Sequence, residues 1–256
     1  HRYSRNGETY FHVGTSEGIQ QIRINAAGEF VSIIDRTPAM VSSANAQFAW
    51  KFQAIFDPTY NNSVSIIAHS AVNLDQMDID TQRPAFFGPL TDSTDLVPMS
   101  VPVSETSSTV TTITGDVASG SPTVLNASSV AALRYGQSIS GTGIPANTFI
   151  STVGASSFTM ANLSGAVNGT ATNAGVTITV TVGGTCGGIV ALHPYVFLYG
   201  SSGRIVHSTA SNFNDFWGIG SNEAFVTGSK IVQAAPTRGG AGNNPSGLFW
   251  SLDSLI

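Results

Sequence analysis

The chain has 256 residues, enough for one large domain or two modest ones around a real core. Charged residues make up only 10%, against the roughly 25% of an ordinary soluble domain, and Ser and Thr fill the gap with 58 positions. The 41% apolar content argues against disorder, two lysines (Lys51, Lys230) and a net charge of -5 against a basic nucleic-acid binder, and a lone Cys186 against a disulfide framework or multi-Cys metal site.

No apolar stretch approaches the ~18–20 residues of a membrane-spanning helix. What remains is a Ser/Thr/Gly-rich all-β protein, extracellular or part of an assembled particle. The chain opens His1-Arg2-Tyr3-Ser4 without an initiator Met and closes on the apolar run Leu248 to Ile256. These ends lead to the expectation of a segment of a longer or processed polypeptide.

Period-two alternation dominates from the start. Thr9 to Val13, Gln20 to Asn25 and Glu29 to Ile34 read as three short strands, the last two joined by Asn25-Ala26-Ala27-Gly28. Phe48, Trp50, Phe52, Ala54 and Phe56 share one strand face, with Ala49, Lys51, Gln53 and Ile55 on the other. Asp57 to Asn62 is a turn by composition, and Ser63 to Ser70 returns as a strand. Further on, Tyr195 to Tyr199, the turn Gly200-Ser201-Ser202-Gly203, and Arg204 to Ser208 make another hairpin. Short strands spaced in this way point to a sandwich, barrel or propeller.

The middle differs in kind. Between Glu105 and Leu192 the only charged residues are Glu105, Asp116 and Arg134. Val176, Ile178, Val180 and Val182 alternate with Thr177, Thr179 and Thr181, and Val110-Thr111-Thr112-Ile113-Thr114 does likewise. Thr suits such a face, because β-branching fits the pleat and the hydroxyl keeps the surface wet. Residues 107–183 are therefore expected to form a small Ser/Thr/Gly-rich β-sandwich inserted between 1–106 and 184–256. Strands at both its ends would bring its termini together, as insertion into a host loop requires. A tandem linear arrangement is the alternative.

The search for chemistry gives no assembled catalytic, cofactor or metal site. Gly14-Thr15-Ser16-Glu17-Gly18 matches the G-x-S-x-G pattern, but a nucleophile elbow needs a helix after it and Ile19 to Asn25 reads as a strand. A glycine-rich hairpin turn is the expectation. Asp75, Asp78, Asp80, Asp92 and Asp95 could offer hard oxygen ligands to Ca²⁺, but their spacing fits no EF-hand, and a solvated loop is the better reading. His1, His12, His69, His193 and His207 show no paired-ligand spacing, and three of them (His12, His69, His207) fall in strands. Cys186 has no basic neighbour to activate it. Trp50, Trp217 and Trp250 sit in or at the ends of strand-like runs and read as core. The glycosylation patterns at Asn61, Asn126, Asn162 and Asn168 are of the kind that chance supplies in so Ser/Thr-rich a chain.

Several passages carry a resemblance. Val196-Phe197-Leu198-Tyr199-Gly200 through Trp217, Gly228 to Val232, Thr237-Arg238-Gly239-Gly240, and Ser246 to Leu255 resemble tail hub proteins of tailed bacteriophages, the β-propeller packaged-DNA stabilisation or nozzle family. Asp80 to Gly88 is consistent with it. Gly136 to Ile150 resembles a small β module of phage structural and bacterial surface proteins, often compared with immunoglobulin-like folds.

The resemblance implies a virion protein in the phage tail. It would be a propeller-like subunit of a homo-oligomeric ring, commonly six-fold, beside portal and tail adaptor proteins. Genomic DNA would pass through without sequence-specific binding, and the family supplies no catalytic residue to carry over. An insert facing outward could instead bind host surface glycans, as in an adhesin or receptor-binding tail protein. At roughly 40–50 residues per blade, the sequence outside 107–183 is long enough for at most four blades.

Overall fold

The computed structural model describes residues 1–15, 17–39, 50–57, 63–70, 83–91, 94–103, 107–184, 187–200, 203–226, 230–237 and 246–251. The chain is all-β, with no α-helix among the described residues. It divides into two compact units: His1–Met99, Thr185–Phe213 and Gly220–Ile256 form the first, Ser100–Gly184 and Asn214–Ile219 the second.

The first unit begins with an antiparallel meander of β1 (Arg2–Arg5), β2 (Glu8–Gly14), β3 (Ile19–Ile24) and β4 (Phe30–Asp35). Where the alternation predicts three strands, there are four. The additional strand, β1, is turned into β2 by Asn6 and Gly7, whose φ angles are 54° and 81°. A two-residue hairpin loop needs positive φ at both positions, and Asn-Gly accepts it at least cost. The second sheet repeats the plan with β5 (Trp50–Asp57), β6 (Ser63–Ser70), β7 (Ala85–Pro89) and β8 (Val97–Pro98).

The second unit follows in the chain. Its strands are β9 (Ser107–Val117), β10 (Thr123–Val124), β11 (Ser138–Ser140), β12 (Thr148–Val153), β13 (Phe158–Asn162), β14 (Gly165–Ala166) and β15 (Asn173–Gly183). All seven belong to one sheet, ordered β10-β13-β12-β11-β15-β9 with β14 beside β13. The two ends of that order meet, because Asp116 and Leu125 exchange both backbone hydrogen bonds, at 2.8 and 3.0 Å. The region expected as a sandwich is thus one continuous sheet rolled around its core. Val124, Ile150, Met160, Ile178 and Val180 in that core are fully buried. The alternation along β15 holds in space, with Val176, Ile178, Val180 and Val182 inside and Thr177 exposed.

The chain returns to the first unit with a third meander of β16 (Gly188–Leu192), β17 (Tyr195–Tyr199), β18 (Arg204–His207) and β19 (Asn222–Phe225). A hairpin of β20 (Ile231–Thr237) and β21 (Ser246–Ser251) ends the described chain. The sheets stack face on face in chain order. Tyr10 and Ile19 of the first sheet pack on Val64, Ile66, Ala68 and Phe86 of the second. On the second sheet's other side, β5 and β6 lie against β16, and Phe87 meets Phe213 edge to face at 5.0 Å. Val190, Leu192 and Tyr199 of the third sheet pack on Ile231 and Ala234 of the hairpin. Ile66 and Ile67 on adjacent positions of β6 are both fully buried, each contributing about 1.5–3 kcal/mol of hydrophobic stabilisation. That is why β6 reads as an apolar run without alternation.

Candidate functional site

Between the stacked sheets lie buried polar side chains that fix one sheet against the next. Lys51 on β5 donates from Nζ to the carbonyl oxygen of Gly187 at 2.8 Å, with Val232 O at 3.4 Å and Gln233 Oε1 at 3.5 Å. The ammonium also lies 5.6 Å from the centre of the Tyr199 ring. Lys51 therefore ties the second sheet to the third and to the hairpin. No carboxylate among the described residues comes within ion-pair distance of it, and burial pulls its pKa down. Tyr199 is pushed up to about 12 by burial, so it stays a neutral phenol.

A second group joins the first sheet to the second. His12 Nε2 and Arg36 Nη1 both reach Gln21 Oε1, at 3.0 and 2.7 Å, while Gln21 Nε2 donates to Leu90 O at 3.0 Å. Since a carboxamide oxygen only accepts, His12 carries its proton on Nε2. Arg36 also donates from Nη2 to Pro89 O at 3.0 Å and from Nε to Thr94 O. Burial pushes His12 down to about 4, with the Arg36 guanidinium opposing its protonation, so the ring is neutral near pH 7. The neighbouring Gly88 leaves the space Arg36 needs: a Cβ there would lie 2.7 Å from Nη2. Arg204 on β18 is almost fully buried and pairs with Glu223 on the edge strand β19.

The residues singled out in the sequence do not converge. Gly14 to Gly18 spans the β2–β3 connection, where a strand follows as expected of a hairpin; Ser16 lies outside the described residues, as do Asp75, Asp78, Asp80, Asp92, Cys186 and Asn61. His12, His69 and His207 lie in β2, β6 and β18. His69 Nε2 is 3.1 Å from Arg83 O, and His207 packs 5.0 Å from the Phe197 ring. Among the described residues no three His, Cys, Asp or Glu side chains are grouped for metal binding. Trp50 and Trp250 occupy strands, but Trp217 lies in the loop between β18 and β19. Its indole stacks on a ring of the second unit and is that unit's own anchor. Sequence reasoning missed Arg36, Gln21 and Lys51, each of which reaches a backbone carbonyl oxygen distant in the chain.

The second unit presents a different kind of surface. Register puts Thr177 beside Thr114, Thr179 between Thr112 and Ser140, and Thr181 between Thr109 and Ser138. These rows make an uncharged hydroxyl face across three adjacent strands. Such a face can exchange hydrogen bonds with a neutral polyhydroxylated ligand, but it holds no group that could act as general acid or base at neutral pH. No helix among the described residues is long and apolar enough to cross a membrane. Comparison with protein-family models, with curated proteins and with solved structures finds no match.

Proposed function

We propose that this chain is a structural virion protein, a subunit of a phage tail hub or nozzle that retains and conducts DNA. In this reading the first unit supplies β-propeller blades and the second is a small β module inserted between two of them. The observation that carries it is the succession of four-stranded antiparallel meanders stacked face to face, the construction of a propeller. In this reading the three meanders are three blades and the two-stranded hairpin is part of a fourth, within the four that the length of the host sequence allows at most. Of the passages that resemble tail hub proteins, the described residues belong to β17, β18 and the loop after it, β20 and β21. A net charge of -5 suits a conduit, which should not grip phosphates.

Copies would assemble into a ring beside the portal and adaptor proteins. Cryo-electron microscopy of particles tests this: a closed ring of this chain at the portal is expected, and density confined to peripheral fibres would sink the reading. A second reading, a receptor-binding tail component, is favoured by the hydroxyl face on β9, β15 and β11. For that reading the full chain should bind neutral glycans on an array and lose binding on Thr177→Lys and Thr179→Lys. An unchanged array signal in these variants would reject it.

A further inference from the structure

The sequence contains two Asn-Gly dipeptides, Asn6-Gly7 and Asn168-Gly169, and the fold treats them in opposite ways. In such a pair the glycine nitrogen can attack the side-chain amide carbon of the asparagine, and a residue without Cβ leaves that approach open. The glycine nitrogen gives up its proton to water and bonds to Asn Cγ. The Cγ–Nδ2 bond breaks, and the departing nitrogen takes a proton from water and leaves as ammonia. One water molecule then opens the succinimide ring at either carbonyl. The products are aspartate and isoaspartate, the second with its main chain routed through Cβ and Cγ. The reaction needs a glycine N–H that is wet and unengaged, and a turn that opens far enough for nitrogen and carbon to meet.

The first dipeptide meets both conditions. Asn6 and Gly7 are exposed, and the Gly7 amide has no acceptor among the described residues. Asn6 must leave its left-handed conformation, φ 54°, before the ring can close. That opening disturbs only the end of a four-residue strand, where Arg5 pairs with Glu8. Fraying of this kind lies at the low end of local opening free energies. Asn168 is exposed too, but Gly169 is buried. The Gly169 N–H donates to Ser121 O at 2.9 Å, and its carbonyl accepts from Gly120 N at 3.1 Å. The next residue, Thr170, donates from its amide to Gly143 O at 2.9 Å. A Cβ at Gly169 would lie 2.6 Å from Ala118 O. There the nitrogen is already bonded, and freeing it means pulling the segment away from two others.

We infer that Asn6 is a site of self-modification, converting to aspartyl and isoaspartyl forms while Asn168 stays intact, and that the isoaspartyl form releases β1 from β2. Isoaspartate adds one main-chain atom to the loop. A two-residue loop with positive φ at both positions sets the register Arg5 to Glu8, Ser4 to Thr9 and Tyr3 to Tyr10. The additional atom forces that pairing apart from the turn outward. Aspartate keeps the main chain and accepts the left-handed turn. Loss of ammonia makes the change one-way, so it accumulates with the age of the molecule. The inference depends on the two turns alone and stands apart from the assembly proposed above.

Peptide mapping by mass spectrometry of the 256-residue protein, stored warm at mildly alkaline pH, tests it. Enzymatic methylation of isoaspartyl carboxyls separates the two products. Conversion at Asn6 should be at least tenfold faster than at Asn168, and in urea the two rates should draw together. Comparable rates in the folded protein, or a gap that persists in urea, overturn the assignment. Hydrogen exchange across β1 reads the consequence. Aged protein should exchange faster there than fresh protein. Freshly made Asn6→Asp, which has the new charge on an unaltered main chain, should match fresh wild type. Aged protein that exchanges like fresh, or Asn6→Asp that exchanges like aged protein, overturns the release of β1.

Discussion

The indole of Trp217 stacks on the ring of Phe149, centroids 4.4 Å apart and planes 24° from parallel, while its Nε1–H donates to Gly136 O at 2.7 Å. A half-buried indole thus combines aromatic stacking with a satisfied polar edge. Trp217→Ala removes both, and the second unit should lose about 2–3 kcal/mol, less than a fully buried Trp would cost. Trp217→Phe should recover the stacking but not the hydrogen bond. Chemical denaturation followed by exchange of the β12 amides checks the order wild type, Phe, Ala.

Arg36 should be sensitive both to its own replacement and to its neighbour's. Arg36→Met leaves Gln21 Oε1 and the Pro89 carbonyl short of a charged donor, at a cost of about 3 kcal/mol. Gly88→Ala should destabilise without removing a hydrogen-bonding group, since its Cβ would fall 2.7 Å from Nη2 and 2.8 Å from Leu96 Cδ2. Melting curves of the two single variants and the double test the shared origin. The double variant should lose less than the sum, because shortening Arg36 vacates the space the new methyl needs.

His12 gives the first unit an acid-sensitive component of known sign. Its folded pKa of about 4 lies below the ordinary 6.5, so the unfolded chain takes up the proton first as pH falls. The stabilisation is complete above pH 6.5, declines as pH drops towards 4, and is flat below that. Its size is at most about 3 kcal/mol. The groups facing the ring are Gln21, Arg36, His1 and the N-terminal ammonium, which donates to His12 O at 3.0 Å. Stability of His12→Asn measured from pH 7 to pH 4 should show a shallower slope than wild type; an identical slope would refute the assignment.

Asp116 closes the rolled sheet twice, through its backbone pair with Leu125 and through its carboxylate. Oδ2 accepts from Asn126 Nδ2 and Oδ1 from the Gly175 amide, both at 2.7 Å. These donors hold the carboxyl below the usual carboxylate range, favouring closure above the ordinary Asp pKa and losing that contribution as pH falls through the lowered one. Asp116→Ala should speed hydrogen exchange at position 116, Leu125 and Gly175 more than at residues in the middle of β15 such as Ile178. Uniform acceleration across the unit would show that closure is not local.

Much of the fold was legible because alternation and burial are the same fact seen twice. Thr177, Thr179 and Thr181 announce a wet face, and the buried Val176, Ile178 and Val180 lie opposite them. The Asn6-Gly7 turn was equally legible but is easy to pass over, since the strand before it has only four residues. The single rolled sheet was not legible: its closure depends on Asp116 meeting Leu125, a backbone exchange that no side-chain pattern encodes. The inter-sheet pins were hidden for a related reason. Lys51 and Arg36 bond mostly backbone carbonyl oxygens, which every residue possesses, and otherwise a neutral carboxamide, so no charged partner in the sequence reveals either. Trp217 misleads because its Phe-rich surroundings imitate a strand.

The pairing of Ser107 with Gly183 at the mouth of the β9–β15 ladder has a consequence for how such a chain can change. Residues paired across a ladder sit about 5 Å apart, a gap that a short turn spans as well as 75 intervening residues do. An interval whose ends lie this close puts little constraint on the length or surface chemistry of what runs between them. The exception is the Asn214–Ile219 segment, which joins the second unit from far along the chain. Any replacement must supply a seat for Trp217, or Trp217 must change with it.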